Sequence, residues 1–82
     1  MRKVTLYTRA GCHLCDAVKM VLERARAKAL FELEIADIDG DPELLRLYNE
    51  EVPVVAIDGV KAFKYRLTEA EFLQKLKARG PA

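Results

Sequence analysis

The sequence predicts an α/β domain with a four-stranded mixed sheet, helices on both of its faces and the element order β-α-β-α-β-β-α. Three observations predict this class. Residues 4–8 and 31–36 show the two-residue alternation of strands, while apolar residues between them recur at helical spacing. A second helical segment then precedes two short apolar runs that flank Asp58-Gly59, a strong hairpin signal. Finally, a capping motif begins a third helix near the end of the chain.

Length and composition predict a single domain over residues 1–82, since 82 residues suffice for one core. Hydrophobic residues make up 51% and charged residues 33%, the balance of a folded globular domain. The net charge of +1 comes from 14 basic and 13 acidic residues spread along the chain, so we expect no nucleic-acid partner. Residues 1–7 become polar too soon for a signal peptide, and no apolar run is long enough to span a membrane. We therefore expect a cytoplasmic monomer without a membrane partner.

The first half of the chain predicts a βαβ unit. The strand at residues 4–8 ends at Ala10-Gly11, and apolar positions at helical spacing predict a helix from His13 to about Ala29. The second strand, at residues 31–36, ends near residues 37–40. A right-handed crossover makes the two strands parallel. Functional sites in such sheets lie beyond the carboxyl ends of the strands, which is where residues 12–15 fall.

The second half predicts a helix, a hairpin and a final helix. Asp41 is the expected N-cap and Pro42 the first helical residue of a helix that ends around Asn49 or Glu50. Strands at residues 54–57 and 60–63 are antiparallel and complete the sheet. Residues 68–71, Thr-Glu-Ala-Glu, have the form of a capping box. Gly80-Pro81 is the expected stop of that last helix.

The two cysteines, Cys12 and Cys15, are the candidate catalytic residues. A disulfide that closes so short a loop contributes only about 2 kcal/mol to stability, so redox chemistry explains the pair better than a structural role. Cys12 is the expected nucleophile, with Cys15 three residues deeper in the helix as the resolving thiol. A helix N-terminus stabilises a thiolate typically by about 0.3–1 kcal/mol, which is too little by itself to make the Cys12 thiol ionise at neutral pH. Further donors are therefore needed to stabilise the thiolate, and backbone N–H groups, Cys15, His13 and Arg9 are available.

Other interpretations of the same residues stay open. Cys12, His13 and Cys15 are three potential ligands of zinc or of an iron–sulfur cluster shared across a dimer, although no second cysteine or histidine pair accompanies them. His13 is alternatively a solvated residue at the start of a helix with no role in the site, and Arg9 is alternatively a surface residue. We predict no metal site.

Two segments carry a family resemblance: residues 7–15, with the sequence Tyr-Thr-Arg-Ala-Gly-Cys-His-Leu-Cys, and Val52-Pro53 before the hairpin. They resemble the thioredoxin superfamily, and most closely the short bacterial glutaredoxin-like proteins. The resemblance implies a thioredoxin-like (glutaredoxin) fold and a thiol–disulfide oxidoreductase that acts on protein or small-molecule disulfides. It also implies that Pro53 is cis and that the Val52 backbone pairs with an extended substrate. Arg9 falls where glutaredoxins carry a lysine. The substrate-binding residues implied are Arg9, His13, Leu14, Val52 and Pro53.

The chain departs from glutaredoxins in two places. Residues 64–69, Lys-Tyr-Arg-Leu-Thr-Glu, lack the Gly-Gly turn that precedes the glutathione-binding helix, and Glu69 and Glu71 already occupy the positive end of that helix. We therefore expect no tightly bound cofactor and disfavour glutathione as the reductant. The second departure is Glu51, which stands where glutaredoxins commonly have threonine. Glu50-Glu51 places negative potential near the cleft and favours a disulfide-containing protein with basic flanks as the partner. A low-molecular-weight thiol is the other expected partner. The alternative functions are a metal or iron–sulfur carrier and a non-catalytic thioredoxin-like binding module.

Overall fold

The computed structural model describes residues 1–78 and confirms the predicted fold class. Its sheet has the strand order β2-β1-β3-β4, with β1 and β2 parallel and β3 antiparallel to both of its neighbours. The strands are β1 Arg2–Thr8, β2 Phe31–Asp37, β3 Val54–Ile57 and β4 Val60–Lys64. The helices are α1 His13–Ala25, α2 Pro42–Tyr48 and α3 Glu69–Ala78, with a single 3₁₀ turn at Ile38–Gly40.

Helices cover both faces of the sheet. The main core lies between one face and the pair α1 and α3, and its buried side chains include Leu6, Val55, Leu22 and Phe72. Because strand side chains alternate, Tyr7 points to the other face. There its ring contacts Tyr48 of α2, with 4.7 Å between the ring centroids. All four residues of β3 are buried, as expected for a strand covered on both sides.

The β3–β4 hairpin forms around the predicted turn and is also attached to β1. Asp58 and Gly59 both have positive φ, at 51° and 85°, which is the backbone of the turn type that suits a two-residue hairpin. The Asp58 carboxylate accepts from the Lys3 N–H at 3.0 Å and contacts the Arg2 guanidinium at 3.1 Å. The Arg2 guanidinium also donates to the Leu76 carbonyl of α3. These contacts join the hairpin turn, β1 and α3 at the end of the sheet where β1 begins.

Helix α1 is shorter than the sequence predicts, because it ends at Ala25 rather than near Ala29. The N–H groups of Ala27 and Lys28 donate to carbonyls three residues back, at 3.2 and 2.9 Å, and so tighten the last turn before the chain enters β2. Apolar spacing alone does not distinguish this tighter turn from a continuing helix. The predicted stop at Gly80-Pro81 lies outside the described residues.

The predicted caps of α2 and α3 are both confirmed. The Asp41 carboxylate accepts from the Glu43 N–H at 2.9 Å, with Pro42 in the first turn. At α3, the Glu71 N–H donates to the Thr68 hydroxyl at 3.1 Å, and the Thr68 N–H donates to the Glu71 carboxylate at 3.0 Å. Each capping group satisfies N–H donors that the helix itself leaves free. None of the helices in residues 1–78 is long and apolar enough to cross a membrane.

Replacing Thr68 with alanine should lower the free energy of unfolding by about 1 kcal/mol, because the Glu71 N–H then loses its acceptor at the start of α3. Urea unfolding followed by circular dichroism measures the change. Thr68→Ser keeps the hydroxyl and is the matched control. Equal stability of the alanine and serine variants would contradict a stabilising cap.

Candidate active site

The register between β1 and β3 brings the two sequence-predicted parts of the site to one end of the sheet. Tyr7 lies opposite Val54 in antiparallel pairing. The cysteine loop follows β1 directly, and Val52-Pro53 directly precedes β3. Since antiparallel partners run in opposite directions, the end of β1 and the beginning of β3 share an edge of the sheet. The cysteines and the Val52-Pro53 segment therefore lie at the same end of the molecule.

A tight turn connects β1 to the first cysteine. The Cys12 N–H donates to the Arg9 carbonyl at 3.4 Å, which closes a four-residue turn. Gly11, at the third position of this turn, has a φ of +79°, where a side chain would be strained although no atom lies within 4 Å of a Cβ placed there. Glycine is therefore required for backbone conformation rather than for space.

Cys12 and Cys15 form a disulfide across the first turn of α1, with their Cα atoms 5.2 Å apart. Cys12 is the N-cap residue, and its Sγ accepts from the Cys15 N–H at 3.1 Å. Cys12 is half-buried, whereas Cys15 is only 2% exposed. The two sulfurs thus differ in access: an incoming molecule can reach Cys12, and the protein covers Cys15.

His13 and Leu14 lie between the cysteines on the solvent side of α1. His13 is exposed, and Leu14 is 47% exposed, a large fraction for a leucine. No group of three or more His, Cys, Asp or Glu side chains within residues 1–78 is arranged to hold a metal ion.

The Val52–Pro53 peptide bond is cis, as the family resemblance implies. The Pro53 side chain is fully buried, and its carbonyl accepts from the Tyr65 N–H at 2.8 Å. The Val52 N–H and carbonyl, by contrast, have no hydrogen-bond partner in the part of the chain that the structure describes. An unpaired backbone step at the end of a sheet is able to pair with an added strand.

Arg9 connects the cysteine loop to the 3₁₀ turn and to the end of α2. Its guanidinium contacts the Asp39 carboxylate at 2.7 Å and donates to the Asn49 side-chain oxygen at 2.9 Å. A groove of about 710 Å³ lies alongside, between Arg9, α2 and Glu51. The charge of Arg9 is thus partly balanced by Asp39 while the cysteines are in the disulfide form. No local sequence pattern indicates this pairing, because Asp39 and Asn49 are 30 and 40 residues away from Arg9 in the chain.

The two glutamates before Val52 have different surroundings. Glu51 binds Lys61 of β4 at 2.6 Å, and this hydrogen bond with the lysine holds the pKa of Glu51 below its ordinary value. The same contact raises the pKa of Lys61. The Glu50 carboxylate has no side-chain partner among residues 1–78. Glu50 therefore supplies most of the uncompensated negative charge beside Val52.

Tyr65 is a residue of this region that sequence reasoning did not assign to the site. It follows β4 with a φ of +72°, and its hydroxyl donates to the Glu50 carbonyl at 3.2 Å. Its ring also contacts the Lys64 ammonium, which lies 5.4 Å from the ring centroid. The only sequence signal was the lack of the Gly-Gly turn of glutaredoxins at this point.

A sheet of this order with a cysteine pair at the start of its first helix defines the thioredoxin fold. Within that class, the chain belongs to the family described as Glutaredoxin-like domain (DUF836), which it matches over residues 3–77. A curated relative, an uncharacterized protein of Mycobacterium bovis, is 34% identical over 62 residues that cover 70% of this chain. The matched part spans only 64% of that relative's length.

Solved structures agree with this fold. Protein Ne2328 from Nitrosomonas europaea is 38% identical, with a TM-score of 0.79 and coverage of 92% of this chain and 91% of that one. NrdH-redoxin from Escherichia coli, a glutaredoxin-like protein, is similar in fold, with 24% identity, a TM-score of 0.64 and coverage of 98% and 97%. A close cysteine pair in a glutaredoxin-like fold indicates a redox function.

Replacing Glu51 with glutamine should lower the free energy of unfolding at neutral pH, and this difference should disappear in acid. Because Lys61 lowers the pKa of Glu51 from 4.5, the ion pair stabilises the fold fully above that value. Its contribution is lost as the pH falls through the lowered pKa and the carboxylate becomes protonated. Urea unfolding of both proteins across this pH range measures the difference.

Glu50→Gln is the matched control, since it removes a neighbouring carboxylate that has no side-chain partner in residues 1–78. The control should change the free energy of unfolding at neutral pH less than Glu51→Gln does, because it breaks no ion pair. A Glu51→Gln effect that stays constant from neutral pH into acid would contradict the ion pair.

Proposed function

We propose that this protein is a thiol–disulfide oxidoreductase in which Cys12 is the nucleophile and Cys15 the resolving thiol. The observation that carries the proposal is the unequal exposure of two sulfurs close enough to bond. Cys12 is half-buried at the N-cap of α1, and Cys15 is 2% exposed one turn deeper. A substrate disulfide reaches the first sulfur, and the second attacks from within the protein.

The reaction takes place in two exchanges. The Cys12 thiolate attacks one sulfur of a substrate disulfide, forming a mixed disulfide and releasing the other substrate sulfur as a thiolate that takes up a proton. The Cys15 thiol then loses its proton and attacks the Cys12 Sγ, which forms the Cys12–Cys15 disulfide and releases the second substrate thiol. Two electrons pass from the protein dithiol to the substrate, and an external thiol reductant restores the dithiol.

The contact between the Cys15 N–H and the Cys12 Sγ is the strongest support for a reactive thiolate. A hydrogen bond to a charged group contributes about 1.5–3 kcal/mol, against about 0.3–1 kcal/mol for the end of a helix dipole. In the disulfide form the sulfur already accepts this bond at 3.1 Å. We infer that the same N–H donates to the Cys12 thiolate in the reduced form, where this bond contributes more than the dipole.

For the substrate we propose an extended polypeptide or a low-molecular-weight disulfide, rather than glutathione held in the usual way. The Val52 backbone, which is unpaired within residues 1–78, offers a polar contact at the same end of the molecule as Cys12, and the exposed Leu14 offers an apolar one. The start of α3 is poorly suited to bind a carboxylate of glutathione. Glu71 caps this helix, and Glu69 contacts Lys28 and Arg24 of α1. An incoming carboxylate would meet these acidic side chains.

The reaction takes place in the cytosol, where a short-loop disulfide is able to form and be reduced repeatedly. The protein acts as a monomer.

Replacing Cys12 with serine should abolish reduction of a disulfide substrate, whereas Cys15→Ser should accumulate a mixed disulfide with it. The first variant lacks the attacking thiolate, and the second cannot resolve the intermediate. Reduced protein mixed with hydroxyethyl disulfide, followed by intact-mass spectrometry, measures both results. The expected species are unmodified Cys12→Ser and Cys15→Ser carrying one mercaptoethanol.

A pH series of iodoacetamide alkylation of the Cys15→Ser variant provides the second measurement. Half-maximal reaction below the ordinary thiol value of about 8.5 agrees with an activated Cys12. Wild-type protein that reduces no disulfide and alkylates only above that pH would contradict the proposal. Stoichiometric zinc or iron after anaerobic purification, lost in Cys12→Ser, would instead support a metal carrier.

A further inference from the structure

We propose that Tyr65 is a positioning residue that holds the Val52 backbone in place for an extended polypeptide substrate. This inference rests on the proposed oxidoreductase function and adds a residue to the substrate-binding part of the site. Tyr65 belongs to the connection between β4 and α3, outside both segments that the sequence analysis assigned to the site.

Tyr65 binds the chain on both sides of Val52. Its N–H donates to the Pro53 carbonyl at 2.8 Å, and its hydroxyl donates to the Glu50 carbonyl at 3.2 Å. Val52 lies between these two anchor points, and its own N–H and carbonyl have no partner among residues 1–78. The segment is therefore fixed by its neighbours while the backbone step that a substrate would use stays free.

The two bonds do not depend on tyrosine to the same extent. The N–H bond to Pro53 continues the β3–β4 pairing by one step beyond Val54 and Lys64, and any residue other than proline could make it. The bond to Glu50 needs a side-chain hydroxyl at the end of a long rigid ring. A specific role of Tyr65 therefore lies in its hydroxyl.

The backbone at Tyr65 supports a role beyond connecting two elements. A φ of +72° is strained for a bulky residue and is adopted without cost by glycine. Tyr65 is also 42% exposed, so burial compensates only in part. A strained residue persists where another interaction holds it, and such residues cluster at binding sites. The hydroxyl bond to the segment before Val52 is an interaction that glycine cannot provide.

The experiment compares two disulfides that differ in whether they have a backbone to pair. One is the symmetric disulfide of a short single-cysteine peptide with residues on both sides of the cysteine, and the other is hydroxyethyl disulfide. Reduced wild type and Tyr65→Phe are each mixed with increasing amounts of substrate in a single turnover, which needs no electron donor. Tyr65→Phe removes only the hydroxyl and keeps the ring and the backbone bond to Pro53.

Tyr65→Phe should raise the half-saturating peptide concentration about two- to ten-fold, the effect of losing one hydrogen bond that orders the segment. Its limiting rate with the peptide and its rate with hydroxyethyl disulfide should stay unchanged. Thr68→Ala is the control for a general loss of stability, since it weakens the cap of α3 without contacting the Val52 segment. It should leave peptide saturation unchanged.

Three results would overturn the inference while leaving the proposed function intact. These are unchanged peptide saturation in Tyr65→Phe, an equal change with both disulfides, and an equal change in Thr68→Ala. A reduced wild-type protein that reacts with neither disulfide would overturn the proposed function itself, and the inference with it.

Discussion

Tyr7 of β1 lies opposite Val54 of β3, and this register places the cysteine loop at the same end of the sheet as the segment that contains Val52. A strand advances about 3.3 Å per residue, so a slip of two residues would move Val52 by about 6.6 Å relative to Cys12. Burial of β3 on both faces opposes such a slip, because every one of its side chains is already packed against one face of the sheet or the other. Packing at the centre of the sheet thus fixes the geometry of a site at its edge.

Local sequence signals were enough to predict most of the fold. The alternation in β1, the Asp41 and Thr68 caps and the Asp58-Gly59 turn each act over a few residues, and all of them appear in the structure. The predicted end of α1 was wrong by about four residues, because the tighter turn after Ala25 keeps the same apolar spacing as a helix. Short-range sequence patterns do not predict where the last turn of a helix becomes tighter before the next strand.

The site was predictable where its residues are adjacent in sequence and less so where they are not. Cys12 and Cys15 stand out by spacing, and the Val52–Pro53 segment by family resemblance. The contacts of Arg9 with Asp39 and Asn49, and of Tyr65 with Glu50, join segments that are 15 to 40 residues apart. The fold of the sheet brings these segments together, so no local sequence pattern predicts their contacts.

Arg2 shows what the fold leaves available at the end away from the sulfurs. Its guanidinium joins the Asp58 carboxylate to the Leu76 carbonyl, so the beginning of β1 and the last turns of α3 meet there. The seven residues of β1 separate that meeting point from the cysteine loop by about 20 Å. A reporter domain attached at the beginning of β1 would start from that far end and leave Cys12 uncovered.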